Sequence, residues 1–198
     1  MNDVQNSLSL PERLRLHTPT MALFTIIFGL VGAGVFVLIY AIEMPFIMIS
    51  LFKFGLAPAL AIIAVVGGLR GPLAGFLTGY LGIILYDFIF FGTVVMLTLP
   101  AFSYGVLGLI VGLPSYDLTK GRSLAKMSVL SAIGLVFTAL LVVVFDLTIV
   151  HHSILIALGF VLLPLMTVGL PSVILITPIL ARIWATIYQQ APAHWQSM

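Results

Sequence analysis

The residues best able to do chemistry in this chain are a few carboxylates and one histidine pair. Of six Asp and Glu residues, three, Glu43, Asp87 and Asp146, stand at the ends of long apolar runs, and His151-His152 follows shortly after Asp146. Carboxylates in apolar surroundings can bind cations, relay protons or balance a charged solute. An ionisable group inside a membrane span marks a functional site by default. At the end of a span it also reaches headgroups or water, so two readings stand for each: an interface anchor or the lining of a pocket. Glu43 shares a helical face with Gly29, Gly32, Phe36 and Tyr40, which turns it toward other helices. Histidines ligate metals, but adjacent residues in a turn point apart, so His151 and His152 read as an external loop and no metal site is expected.

Enzymatic chemistry finds no support in the motifs. The chain has no His-Glu-x-x-His run, no Gly-x-Ser-x-Gly turn, no paired intramembrane aspartates and no phosphate loop of the Walker type. With no cysteine, thiolate catalysis and disulfides are excluded. The chain is read as a non-enzyme without a cofactor. If it moves a solute uphill, the energy comes from a partner or an ion gradient.

The elements that would position these groups are membrane helices. The chain is 62% hydrophobic and 7% charged, with a mean hydropathy of +1.27; soluble domains carry about 25% charged residues. Several apolar runs reach the roughly 20 residues a helical span needs, whereas a membrane barrel would show alternating segments of about 10. Helices satisfy their own backbone polar groups in lipid. The fold class is therefore all-α, a polytopic bundle of about six transmembrane helices in a cell membrane.

Residues 1–20 are polar and lack a cleavable apolar core, so they read as a cytoplasmic tail. Residues 21–188 form a single transmembrane domain, and 189–198 a short cytoplasmic tail. The first span is Met21 to Ile42. The second lies within Pro45 to Leu69, where only Ala57 to Leu69 is uninterrupted, so a loop followed by a short helix is expected. Pro72 opens the third span, since proline suits the first helical turn, and that span reaches Asp87 or Phe91. The fourth lies within Val94 to Leu113, the fifth is Met127 to Val150, and the sixth is a long kinked helix from Ile154 to Tyr188 with a broken outer part.

Orientation follows from the basic residues. With the N-terminus inside, Arg13, Arg15, Arg70, Lys120, Arg122, Lys126 and Arg182 are all cytoplasmic, and only Lys53 falls outside. These charges set topology and do not form a nucleic-acid surface. Glu43, Asp87, Asp146 and the histidine pair then share the outer side. Arg70 and Asp87, 17 positions apart, mark opposite membrane faces roughly 25 Å from each other.

A second pattern is steric. Gly71, Gly75, Gly79, Gly82 and Tyr86 follow one face of span three, and Gly29 with Ala33 repeats the spacing on span one. Small residues so spaced let helix backbones approach closely in lipid. The approach is either internal to the bundle or to a separate membrane subunit.

The stretch Arg70-Gly71-Pro72-Leu73-Ala74-Gly75-Phe76-Leu77-Thr78-Gly79 and the ending Pro178-Ile179-Leu180-Ala181-Arg182 resemble the substrate-binding S component of energy-coupling factor transporters, the prokaryotic vitamin importers. The resemblance covers most of 21–188. It implies a plasma-membrane protein that captures a vitamin or related micronutrient from outside, in a pocket formed by the loop after helix one and the outer halves of helices four to six. It also implies a transmembrane coupling subunit and two cytoplasmic ATPases as partners. The coupling contact would fall on Gly29, Ala33, Gly75 and Gly79, and the gating loop on Met44 to Ala57. The N-terminal histidine metal site of the nickel and cobalt members is absent from Asn2-Asp3-Val4-Gln5, so an organic solute is expected. The three outer carboxylates with Tyr40, Tyr86 and Phe46 suit a cationic aromatic such as thiamine. The candidate binding set is Glu43, Tyr40, Phe46, Lys53, Tyr86, Asp87, Asp146, His151 and His152. A membrane scaffold of the same fold, like the rod-shape morphogenesis proteins, and an ion-coupled carrier are the competing readings.

Overall fold

The computed structural model describes residues 14, 16, 18–42, 47–49, 52–54, 56–92 and 98–190. These form six helices and one short antiparallel ribbon. Helix α1 spans Pro19–Ala41, α2 Pro58–Arg70, α3 Pro72–Phe91 and α4 Thr98–Gly112. Helix α5 runs from Gly121 through Phe145 and continues as a π-helical turn, Asp146–Val150. Helix α6 joins Ile154–Ile156, a π-helical segment Ala157–Leu162 and Leu163–Gln190 into one run. Strands β1, Ile47–Ile49, and β2, Phe52–Phe54, pair between α1 and α2, with Met48 opposite Lys53.

Sequence chemistry explains the boundaries. Prolines open α1, α2 and α3, where the missing N–H belongs to the unpaired first turn. Thr18 caps α1, its hydroxyl accepting from the Met21 N–H at 3.3 Å. Gly71, at φ +105°, makes the reversal from α2 into α3 in a single residue, a conformation that side-chain-bearing residues avoid. Helix α5 begins six residues before the expected Met127, because the polar stretch from Gly121 forms its first turns. The expected break in the outer part of α6 takes the form of π-helix, with Pro171 and Pro178 inside the continuous helix below it.

Among the described residues four helices are long and apolar enough to cross a membrane: Pro19–Ala41, Pro72–Phe91, Gly121–Val150 and Ile154–Tyr188. The expectation of about six full crossings is thus met by length in only four. Helix α2, with 13 residues, rises roughly 20 Å, and α4, with 15, roughly 22 Å. A hydrocarbon core is about 30 Å thick. Glycine and proline set these short lengths: Gly71 ends α2, and Gly112-Leu113-Pro114 ends α4.

Packing is inverted relative to a water-soluble protein. Large apolar side chains point outward along α1 (Leu23, Leu30, Val31, Leu38), α3 (Phe88, Ile89), α5 (Val129, Phe137, Leu140) and α6 (Leu175, Ile179, Ile187). The interior is rich in Ala, Gly, Ser and Thr beside a few large anchors such as Phe36, Ile63, Leu107 and Leu135. Apolar surface this extensive is foreign to soluble monomers and suits lipid, where close packing and interhelical hydrogen bonds hold helices together. Those bonds are present. Thr78 Oγ1 donates to Gly29 O at 3.3 Å from α3 to α1, Thr138 Oγ1 to Ser103 O at 2.9 Å from α5 to α4, and Ser128 Oγ to Ile174 O at 3.0 Å from α5 to α6.

Close approaches give the helix directions. Pro72 meets Gly112 and Gly75 meets Gly108, so α3 and α4 are antiparallel; Gly29 meets Leu77 and Phe36 meets Gly82, so α1 and α3 are parallel. Helix α2 returns between them, and its Arg70 lies over Phe24 and Phe28 of α1, at 5.6 and 5.4 Å from the ring centres. Arg182 of α6 donates to the carbonyls of Leu118 and Thr119, at 3.2 and 2.7 Å, in the α4–α5 connection. Trp184 meets Phe28 edge-on at 6.1 Å. The start of α1, the end of α2, the α4–α5 connection and the end of α6 therefore share one end of the bundle. The basic residues Arg70, Lys120, Arg122, Lys126 and Arg182 belong to that end, and Asp87 and Asp146 to the other.

Candidate functional site

A cavity of about 580 Å³ opens near the acidic end, between the last turn of α1, the first turn of α2, α4 and the outer part of α6. Its volume falls in the range of small-molecule sites, roughly 300–1,000 Å³. The walls are Ile39, Tyr40 and Ile42 from α1, Leu56 to Leu60 at the start of α2, Tyr104 from α4, and Phe160, Val161, Pro164, Leu165, Val168 and Gly169 from α6. Most of these groups are apolar, and the two tyrosines add phenol rings and hydroxyls.

Local sequence accounts for the shape. Because α2 is short, its first turn begins well inside the bundle, and the space above it is left to the cleft. The Ala57 N–H at that turn donates to Ser172 Oγ at 2.6 Å, while the same hydroxyl donates to Val168 O at 2.7 Å. Ser172 thus ties the cleft floor to α6 and satisfies one of the unpaired N–H groups at the start of α2. Strand β2 also packs against α6. The π-helical segment Ala157–Leu162, with Phe160 and Val161 in the wall, re-aims side chains at this level; such irregularities recur at functional sites.

Aromatic packing joins the cleft to a buried carboxylate. Tyr40 stacks on Phe36, with ring centres 5.2 Å apart, and meets Tyr86 edge-on at 4.6 Å. Asp87, the next residue on α3, is only 7% exposed, and its Oδ2 has no hydrogen-bond partner among the described residues.

The expected binding residues divide into three groups. Tyr40, Tyr86 and Asp87 come together, with Tyr40 in the cleft wall. Asp146, His151 and His152 form a separate cluster and do not line the cleft. His152 Nδ1 lies 2.9 Å from Asp146 Oδ1, and the His152 N–H donates to Asp146 O at 3.3 Å. His151, at φ +60°, ends the π turn and is exposed. The turn folds His152 back onto the carboxylate. Glu43, Phe46 and the side chain of Lys53 lie outside the described residues, as do Met44, Pro45, Ser50, Leu51 and Gly55 of the expected gating loop from Met44 to Ala57. Tyr104, Val168, Phe160 and Ser172 were missed by sequence reasoning. An aromatic or serine in an apolar run has no spacing signature, and only Tyr104, one helical turn from Gly108, lay near a pattern that could have drawn notice.

The expected coupling contact requires correction. Gly29, Ala33, Gly75 and Gly79 are all buried inside this chain. A Cβ on Gly29 would stand 2.8 Å from Leu77 Cβ, one on Gly75 2.6 Å from Gly108 O, and one on Gly79 2.9 Å from the Gly105 nitrogen. The small residues bring α1, α3 and α4 together and leave no room on that face for a second protein.

At the basic end, Asp117 pairs with Lys120 at 2.8 Å and accepts from the Thr119 N–H at 3.1 Å. Lys120 first, and then Thr119, hold the Asp117 carboxyl down to about 2. Among the described residues no group of three or more His, Asp or Glu side chains is placed to hold a metal ion.

Comparison of the chain with known family models, curated proteins and solved structures finds no match. The functional reading therefore rests on geometry and on residue chemistry.

Proposed function

We propose that this chain is a multi-pass membrane protein that captures a small organic solute in the cleft between α1, α2, α4 and α6. The observation that carries this reading is a cavity of about 580 Å³ at the acidic end, floored by the first turn of a helix too short to fill the space above it. The basic end is assigned to the cytoplasm by the positive-inside rule, which puts both termini inside and the cleft on the external side. Six membrane-embedded helices, with the short pair α2 and α4 completing the bundle, complete the proposed topology.

Within this reading, the chain acts as a substrate-binding S component of an energy-coupling factor importer in a prokaryotic plasma membrane. The solute is a vitamin or related micronutrient, and a transmembrane coupling subunit with two ATPases supplies the energy. Support comes from the cleft beside the α1–α2 connection and the outer part of α6, together with the resemblance of Arg70–Gly79 and Pro178–Arg182. The coupling subunit would dock on exposed apolar surface such as the Leu23, Leu30 and Leu38 side of α1, not on the buried glycines. A pure scaffold would leave the cleft without a role.

Calorimetry of the purified protein against a panel of water-soluble vitamins tests solute capture. One compound should bind at micromolar concentration or below and lose binding in Val168→Trp, which fills the cleft. Absence of binding across the panel would contradict the importer reading. Purification from the native membrane should also recover a coupling subunit and ATPases.

A further inference from the structure

We infer that the cleft recognises its solute through backbone carbonyls that Pro164 leaves open in the α6 wall, and that it takes an uncharged solute with an N–H donor, such as a lactam or amide ring. This rests on the solute-cleft reading above and adds the chemistry by which the site selects.

The starting point is a count of donors along the π-helical wall. In a helix the carbonyl of residue i accepts from the N–H of residue i+4, or of i+5 in a π turn. For Gly159 those donors would be Leu163 and Pro164. The Leu163 N–H goes to Leu158 O, and proline has no N–H. Phe160 O loses its i+4 donor to the same proline and keeps only Leu165 within reach. One N–H therefore serves two carbonyls, at the level where Phe160, Val161 and Pro164 line the cleft. Among the described residues no group from another helix donates to either carbonyl.

Pro178, further along the same helix, provides the contrast. Its missing N–H frees Ile174 O, and Ser128 of α5 reaches across to donate to that carbonyl at 3.0 Å. There the bundle closes the gap in its own helix, as lipid surroundings require. At Pro164 the gap stays open beside a cavity. A backbone acceptor withdrawn from water without a donor is costly, and a solute that brings the donor removes that cost. The hydroxyls of Tyr40 and Tyr104, in the α1 and α4 walls, can serve the solute's own carbonyl. The described walls carry no carboxylate to balance a cation and no basic group to hold an anion, so a neutral donor fits them.

The probe pair is dihydrocarbostyril, a bicyclic lactam, and its N-methyl analogue, which lacks the donor. Both are titrated calorimetrically into the full-length protein in detergent. The wild type should bind the lactam about 3- to 10-fold tighter, the scale of one hydrogen bond. Pro164→Ala restores the N–H, and alanine favours the helix. It should bring the lactam down to the affinity of the N-methyl analogue, whose own binding stays unchanged. Pro178→Ala, away from the cleft, should keep the wild-type ratio. With binding lost in Val168→Trp, three results overturn the carbonyl site alone: equal affinity for the pair in the wild type, a preference that survives Pro164→Ala, or one also lost in Pro178→Ala. Binding that persists in Val168→Trp overturns the cleft itself, and no binding of either probe overturns both.

Discussion

Gly75 and Gly108 lie back to back, α3 against α4, so closely that a Cβ on Gly75 would stand 2.6 Å from the Gly108 carbonyl oxygen. Real Cβ atoms essentially never come so near, so one helix would have to move. Gly75→Ala should destabilise the protein by about 1–3 kcal/mol, the usual cost of overpacking, and Gly75→Leu should abolish folding. Gly34 has open space around its Cα, so Gly34→Ala in α1 should be neutral or raise stability by about 0.4–1 kcal/mol. Thermal unfolding of both variants in detergent checks the contrast; equal melting temperatures would refute the packing role.

Ser172 holds the cleft floor. Ser172→Ala leaves the Ala57 N–H without its partner and should cost about 1–3 kcal/mol, the penalty of an unmade buried hydrogen bond. Solute affinity should fall with it, because α2 loses its tie to α6. Ser172→Thr, which keeps a hydroxyl, should recover part of both. A melt and a titration on the same samples suffice.

The absence of cysteine makes orientation directly measurable. Thr119→Cys, at the basic end, should react with a membrane-impermeant maleimide only after the cells are opened. Ser153→Cys, at the acidic end, should react in intact cells. The reverse pattern would place the cleft on the cytoplasmic side.

Asp117 should titrate near 2, against about 3.9 for an unperturbed aspartate. Because its folded value is depressed, the stability it contributes is fully present above about 4 and is lost as pH falls through 2. Lys120→Met should move the midpoint back toward 4. Carboxyl carbon shifts in a pH series by NMR report it, and an unchanged midpoint would remove Lys120 as the cause.

Much of the architecture was legible in the residues themselves. Apolar run length predicted the four long helices, and Pro72 marked the start of α3 to the residue. The small-residue face of α3 was equally plain, since glycine spacing on a helix is a one-dimensional pattern. What that face touches was not: the spacing is the same whether the opposing helix is α4 or another protein. Only the packed bundle, with Gly108 and Gly105 opposite Gly75 and Gly79, assigns it to the interior.

The candidate site divides the same way. Sequence alone marked Tyr40, Tyr86 and Asp87 as candidates because polar and aromatic groups at the end of an apolar span are conspicuous. It could not gather Tyr104, Val168 and Ser172, which lie on helices far away in the chain and carry no motif. Nor could it separate Asp87 from Asp146, two carboxylates in similar runs. Tertiary structure folds His152 back on Asp146 and leaves Asp87 next to Tyr86, whose ring meets that of Tyr40. Composition and periodicity determine that the chain is a helical membrane bundle, because they set the solvent each segment prefers. Which side chains gather at the cleft depends on distances between helices, and the fold decides those.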